Sequence, residues 1–141
     1  LFRSDFTYED FETENLDNCH YTLQHIEDVN KHACYVIDAF PADEIAKKRT
    51  GYGKRRIWIR KDIFFAVQVW FFNHRGQHVK TMNCYDLVNV KDSVYRADKI
   101  IMDNHHLKHK TICGVNRRDI LTEIRDMTFQ HRYILSERHV K

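Results

Sequence analysis

From Gly53 to Asn83 the chain carries more large apolar side chains than one ordinary core face requires. Ile57, Trp58 and Ile59 are followed by Phe64, Phe65, Val67, Val69, Trp70, Phe71 and Phe72, then by Val79 and Met82. Apolar groups fall at both parities, so the period-two alternation of a half-buried strand is present but blurred. One face must bury a core and the other must also meet something apolar. A curved sheet with a lipid-sized cavity on its concave side satisfies that pattern.

The turn signals divide the chain almost wholly into strands. Ser4 or Asp5 is placed to cap a short helical turn through Tyr8, Glu9, Asp10 and Phe11, with acidic residues where a helix N-terminus favours them. Cys19 to Glu27 and Ala33 to Phe40 make a first hairpin turning near Asp28 to Lys31, which Pro41 ends because proline cannot donate to a ladder. The segment from Asp43 to Arg49 is short and either helical or loose. Lys54 to Arg60 and Phe64 to Phe72 pair across Lys61-Asp62, and Gln77 to Leu87 returns after Asn73-His74-Arg75-Gly76. That tetrapeptide fits a type I turn with glycine at the left-handed bulge position, which pairs Asn73 with Gln77. Val94 to Asp103 and Leu107 to Arg117 form a third hairpin with Asn104 at its turn. The product is a seven-stranded antiparallel meander with little helix, closed by a tail from Met127 to Arg138 that docks on the sheet.

Extending that register sets Phe71 opposite Val79, Val69 opposite Thr81 and Trp58 beside Phe65. One face then carries Trp58, Phe65, Val67, Val69, Phe71 and Val79. With Ile100 and Met102 of the next hairpin, it is the expected ligand-binding surface. The opposite face carries Ile57, Ile59, Phe64, Trp70 and Phe72 beside Gln68 and Lys80 and reads as the outer or partner-facing side. From pattern alone the aromatic stripe reads more readily as ordinary core for a packed helix than as a cavity lining, and the resemblance given below shifts the balance toward the cavity.

Composition narrows the function classes. The 141 residues fit one domain, able to bury about two-thirds of the surface its unfolded chain exposes. Charged residues make up 30% of the chain, and no apolar run reaches the roughly 18 residues of a membrane span. Leu1 opens the sequence without a basic start or apolar leader, so any export signal is expected to have been removed or to lie outside it. The net charge of +3 is small, and the clusters Lys47-Lys48-Arg49 and Lys54-Arg55-Arg56 read as a solvated loop entering a strand rather than a nucleic-acid face. Cys19, Cys34, Cys84 and Cys113 show no metal spacing, and Cys19 and Cys34 are out of register as cross-strand partners. His105, His106 and His109 form a tip cluster with no carboxylate or thiol at ligand spacing, so no metal site is expected. Neither a nucleotide loop nor a nucleophile elbow nor a zincin motif occurs, no acid–base pair can be assembled, and no cofactor is implied. An enzyme is therefore not expected.

The succession Ser4-Asp5-Phe6-Thr7-Tyr8-Glu9-Asp10, Cys34-Tyr35-Val36-Ile37, Lys54-Arg55-Arg56-Ile57-Trp58-Ile59, Gly76-Gln77-His78-Val79-Lys80-Thr81, His109-Lys110-Thr111 and Phe129 to Arg138 resembles the LolA-like outer-membrane lipoprotein-sorting family. The likeness covers nearly the whole chain, which corresponds to the C-terminal half to two-thirds of such a protein. It implies a single LolA-like carrier domain over residues 1–141, an incomplete β-barrel whose concave apolar face receives acyl chains, with helices over the opening. It further implies a periplasmic location, lipid or lipoprotein acyl chains as cargo, and an inner-membrane lipid exporter as a possible partner. Family sequences tend to place a leucine–proline turn after the tryptophan strand, where this chain has Ile63-Phe64-Phe65-Ala66. A sheet lacking the family's first strands is expected to leave an edge beside the first hairpin, a place for a second copy or another segment to pair. The alternative expectation is an interaction module that docks on a membrane transporter through Trp70, Phe72 and the basic loop, since exposed aromatics mark interfaces.

Overall fold

The computed structural model describes residues 4–11 and 15–118. Seven strands, β1 (Cys19–Val29), β2 (His32–Pro41), β3 (Lys54–Arg60), β4 (Ala66–Phe72), β5 (His78–Lys91), β6 (Val94–Asn104) and β7 (His109–Gly114), follow one another in both sequence and space. Each pairs antiparallel with the next, giving a curved meander that does not close into a barrel. One short α-helix among the described residues, α1 (Glu44–Arg49), capped by Asp43 accepting from the Ala46 amide at 2.7 Å, interrupts the meander between β2 and β3. No helix among the described residues is long and apolar enough to cross a membrane. The tail from Met127 to Arg138 lies outside the described residues.

Turn chemistry sets where strands end. Asn30 and Lys31 both have positive φ, 50° and 69°, the type I′ geometry whose twist suits a two-residue hairpin. Around the Asn73 turn, the Asn73 amide donates to the Gln77 carbonyl at 3.0 Å and Gly76 takes φ +77°, as its sequence requires. Gly53 matters for a different reason: a Cβ there would lie 2.7 Å from the Asn73 carbonyl oxygen and 2.9 Å from the His74 Cα. Both obstacles are backbone, so Gly53→Ala is expected to cost about 1–3 kcal/mol, measured as a lowered urea midpoint at unchanged slope.

Two bulges depart from the expected register. Ile57 pairs with Val69 and Trp58 with Gln68, but Ile59 pairs with Ala66, so Val67 is the extra residue. Likewise Phe71 pairs with Lys80 and Phe72 with His78, leaving Val79 extra; Val69 therefore faces Met82 rather than Thr81. An extra residue turns its neighbours' side chains to the other face. The strand expected from Phe64 begins at Ala66, because Phe64 takes φ 50° in an exposed loop. At the N-terminus the short helical turn is a 3₁₀ turn, Tyr8–Asp10, capped by Thr7; Ser4 and Asp5 are used elsewhere.

Candidate functional site

The bulges sort the large side chains into two layers. On one face Ala39, Tyr52, Ile57, Val69, Phe71 and Met102 are buried together, with Val79, Met82 and Ile100 packed beside them. On the other, Cys34, Val36, Trp58 and Val67 are buried, flanked by Phe65, Trp70 and Leu87. The eight expected ligand residues are thus divided: Val69, Phe71, Val79, Ile100 and Met102 share the first layer, and Trp58, Phe65 and Val67 belong to the second. Ile57 and Ile59, expected opposite Val69, lie with it. A period-two reading cannot register a single inserted residue, and Val67 and Val79 carry no glycine or proline to announce one.

The first layer is crossed by the strap Ser4–Phe11, whose role the sequence reading missed. Phe6, only 3% exposed, sits in the layer and contacts the Phe11 ring at 5.0 Å. Asp5, buried beside it, accepts from Thr111 Oγ1 at 2.6 Å, from Asn104 Nδ2 at 3.2 Å, and pairs with His109 Nδ1 at 2.6 Å. Burial works to raise the Asp5 pKa, but the Thr111 and His109 hydrogen bonds and the His109 charge overcome it and hold the carboxyl below its usual range. Further along, Lys80 Nζ donates to the Asp5 carbonyl at 2.9 Å and to Tyr52 Oη at 2.8 Å, while Tyr52 donates to Asp10 Oδ1 at 2.8 Å. Burial and the neighbouring Asp10 raise the Tyr52 pKa, so the phenol stays protonated as a donor. Glu9 accepts from the Thr50 hydroxyl and from the Gly51 amide.

Where the strap leaves the layer, a cavity of about 550 Å³ opens between β1, β2, β3 and α1. Cys19, Ala39, Ala46 and Tyr52 are its apolar wall, while Glu9, Asn15, Asn18, Arg49, Thr50, Lys54 and Arg55 make the larger part of the lining polar. None of the eight expected ligand residues lines it, although Cys19, Ala39 and Tyr52 join it to the first layer.

The second face is polar around its aromatic centre. Trp58 Nε1 donates to Glu27, and Arg56 makes a two-pronged contact with buried Asp38 at 2.6 and 2.8 Å. His78 stacks on Trp70 at 4.7 Å and Phe72 at 5.1 Å, and shares the Thr81 hydroxyl with His105. Burial and then the nearby His105 lower the His78 pKa. Lys54 lies 4.3 Å over the Phe72 ring. Trp70 and Phe72, expected as an exposed docking pair, are therefore half-buried under His78 and Lys54. The tip histidines part company: His105 meets Thr81 and His109 meets Asp5. Among the described residues no group of three or more metal-binding side chains converges. Cys84, half-buried on β5 opposite Ile100, has its thiol pushed up to about 11 by burial, which disfavours the reactive thiolate.

A family model described as an uncharacterized protein matches residues 1–136. The chain belongs to that family. A crystal structure described as an outer membrane lipoprotein-sorting protein domain from Vibrio parahaemolyticus superposes with TM-score 0.82 at 23% identity, over 94% of this chain and 54% of that one. A DUF1329 family protein from Desulfovibrio piger gives 0.76 at 24% identity, over 94% and 54%. A LolA superfamily protein from Nitrosomonas europaea gives 0.64 at 20%, over 84% and 51%. The fold is LolA-like. The chain spans about half the length of the solved structures it matches. No curated protein sequence matches it significantly.

Proposed function

We propose that this chain is a carrier domain of the periplasm that binds acyl chains of lipids or lipoproteins without making or breaking a covalent bond. The observation that supports it is the continuity of an apolar layer with a cavity: Val69, Phe71, Val79, Ile100 and Met102 pack in one sheet layer whose rim residues Cys19, Ala39 and Tyr52 are the apolar part of a cavity of about 550 Å³ among the described residues. An acyl chain entering there gains about 0.8 kcal/mol for each buried methylene. Some ten methylenes would hold it firmly, yet leave it transferable to an acceptor such as a membrane lipid exporter. Trp58, Phe65 and Val67 act on the other face, as packing for the sheet.

The test is lipid recovered with the purified protein, by native mass spectrometry and solvent extraction, together with two variants. Val69→Glu places a charge in the layer, and Ala46→Trp fills the cavity from the half-buried wall of α1 without entering the sheet. Each is expected to weaken binding of a fluorescent fatty acid by at least about tenfold, the loss of roughly two methylene contacts. Absence of any bound lipid, together with unchanged fatty-acid binding in a folded Ala46→Trp protein, would end the carrier reading.

A further inference from the structure

The loop that joins β3 to β4 carries the most exposed large apolar side chain among the described residues: Phe64, at 77%. Its backbone lies in the left-handed region, at φ 50°. The other described non-glycine residues with positive φ are Asn30, Lys31, Asp86, Asp92 and Lys108, all polar and exposed, whereas a bulky apolar residue takes that conformation at a cost. Strain and a hydrated ring thus meet at one residue, and neither helps the fold. The next residue, Phe65, packs against the second layer of the sheet, so the left-handed step separates an inward ring from an outward one. β3 and β4 are the third and fourth of seven strands, which sets the loop in the middle of the sheet and away from both of its edges.

We propose that this loop is a membrane contact, in which the Phe64 ring enters the headgroup region of a bilayer containing anionic lipid while Lys61 and Lys31 meet the phosphates. The backbone is prepared for that medium. The Phe64 amide donates to the Arg60 carbonyl and the Arg60 amide to the Phe65 carbonyl, both at 2.9 Å, so the loop does not depend on water to satisfy these groups when water is withdrawn. The Lys61 amide donates to the Ala33 carbonyl at 3.0 Å, which ties the loop to the start of β2 and brings it beside the Asn30-Lys31 turn.

Charge has the sign an anionic surface needs. Over residues 28–32 and 60–65 the cations Lys31, Arg60 and Lys61 stand against Asp28 and Asp62. Arg60 holds Asp62 through two hydrogen bonds, at 3.0 and 2.5 Å, with His32 at 3.9 Å from the same carboxylate. The Lys61 ammonium rests 5.3 Å from the centre of the Tyr35 ring and stays exposed. A pocket in another protein would select a shaped apolar rim, but here one ring projects between exposed Lys61 and Asp62 and half-buried Phe65. A single aromatic point among lysines suits a fluid apolar phase beneath a negative layer, where rings and lysine stems settle. The contact is separate from acyl-chain binding, because the loop shares no residue with the cavity. Connections in a meander alternate between its two ends, so α1 and the cavity beside it lie at the far end. A docked chain keeps that cavity clear of the headgroups.

In a density gradient the whole chain is expected to float with vesicles of mixed phosphatidylglycerol and phosphatidylcholine. Phe64→Gly removes the ring and the strain together. Its urea midpoint is therefore expected to be no lower than that of the wild type, while its partition onto the vesicles falls by at least about tenfold, the gain from burying one phenylalanine side chain. Phe64→Trp is expected to keep the binding. Lys61→Glu is expected to lower partition by roughly tenfold on the mixed vesicles and to leave partition onto phosphatidylcholine alone unchanged. Ala46→Trp, in the cavity wall, is expected to float as the wild type does. A wild-type chain that stays at the bottom of the gradient overturns the proposal, as it would if the tip bound a protein or a second copy. Equal partition of Phe64→Gly and wild type also overturns it, since the contact would then lie on another surface. Loss of flotation in a folded Ala46→Trp would do the same, because the lipid would be entering the cavity.

Discussion

Phe6→Ala is expected to lower the unfolding free energy by about 3–5 kcal/mol, the range for deleting a buried aromatic ring. The ring is 3% exposed and closes a layer whose deepest member, Met102, is fully buried. The strap's backbone is tied by the Asp5 contacts to β6 and β7 and by the Lys80 contact to β5, so it cannot follow the missing ring inward. A cavity therefore remains, and cavity volume adds to the lost transfer energy. The melting temperature is expected to fall by roughly 10 °C or more. Phe6→Leu, which restores most of the volume, is expected to recover more than half of that loss. A denaturation midpoint unchanged in Phe6→Ala would mean that the strap contributes nothing to the folded state.

Arg56→Ala is the second large effect, and its size depends on pH. Asp38 is 4% exposed, and Arg56 meets both of its oxygens, with Lys54 at 3.9 Å as a further cation. The Arg56 hydrogen bonds hold the Asp38 pKa below its ordinary value against the opposing pull of burial. A carboxyl depressed in the folded state contributes stability above its unfolded pKa, near 4, and loses it as pH falls through the lower folded value. Removing Arg56 leaves burial in charge, and the folded pKa rises. The variant is then expected to be about 2–4 kcal/mol less stable at pH 7, a deficit that shrinks on acidification as the carboxyl is protonated. Urea midpoints of both proteins between pH 3 and 7 check this; a deficit constant across that range would contradict it. Asp5, also depressed, makes the wild type lose stability in the same acid window.

Strand identity and order could be read from the sequence because turn chemistry is local. Asn73 to Gly76 specify their own hairpin, and the long alternating segments specify theirs. Facing could not be read beyond the first bulge. Val67 and Val79 each add one residue to a run of apolar side chains in which either parity looks acceptable, so nothing in the pattern marks the step. The expected single face of eight residues was consequently split in two. Asp5 shows a second kind of blindness. Beside Tyr8 and Glu9 it looks like a helix cap, while its actual partners, Thr111 and His109, lie more than a hundred positions away and are reached only after the sheet has formed. The lining of the cavity was missed for the same reason: Cys19, Ala39 and Ala46 are unremarkable along the chain and become a wall only when β1, β2 and α1 meet.

A meander brings each strand to the one just made, so the sheet can grow hairpin by hairpin without closing any large loop. The contact from Asp5 to Thr111 differs, since it joins residues 106 apart. Loop-closure entropy disfavours such a contact until the intervening strands are in place. The N-terminal segment is thus the last piece to settle during folding and the first to lift during native fluctuation, and the amide of Asp5 should exchange with deuterium well before those in the middle of β3.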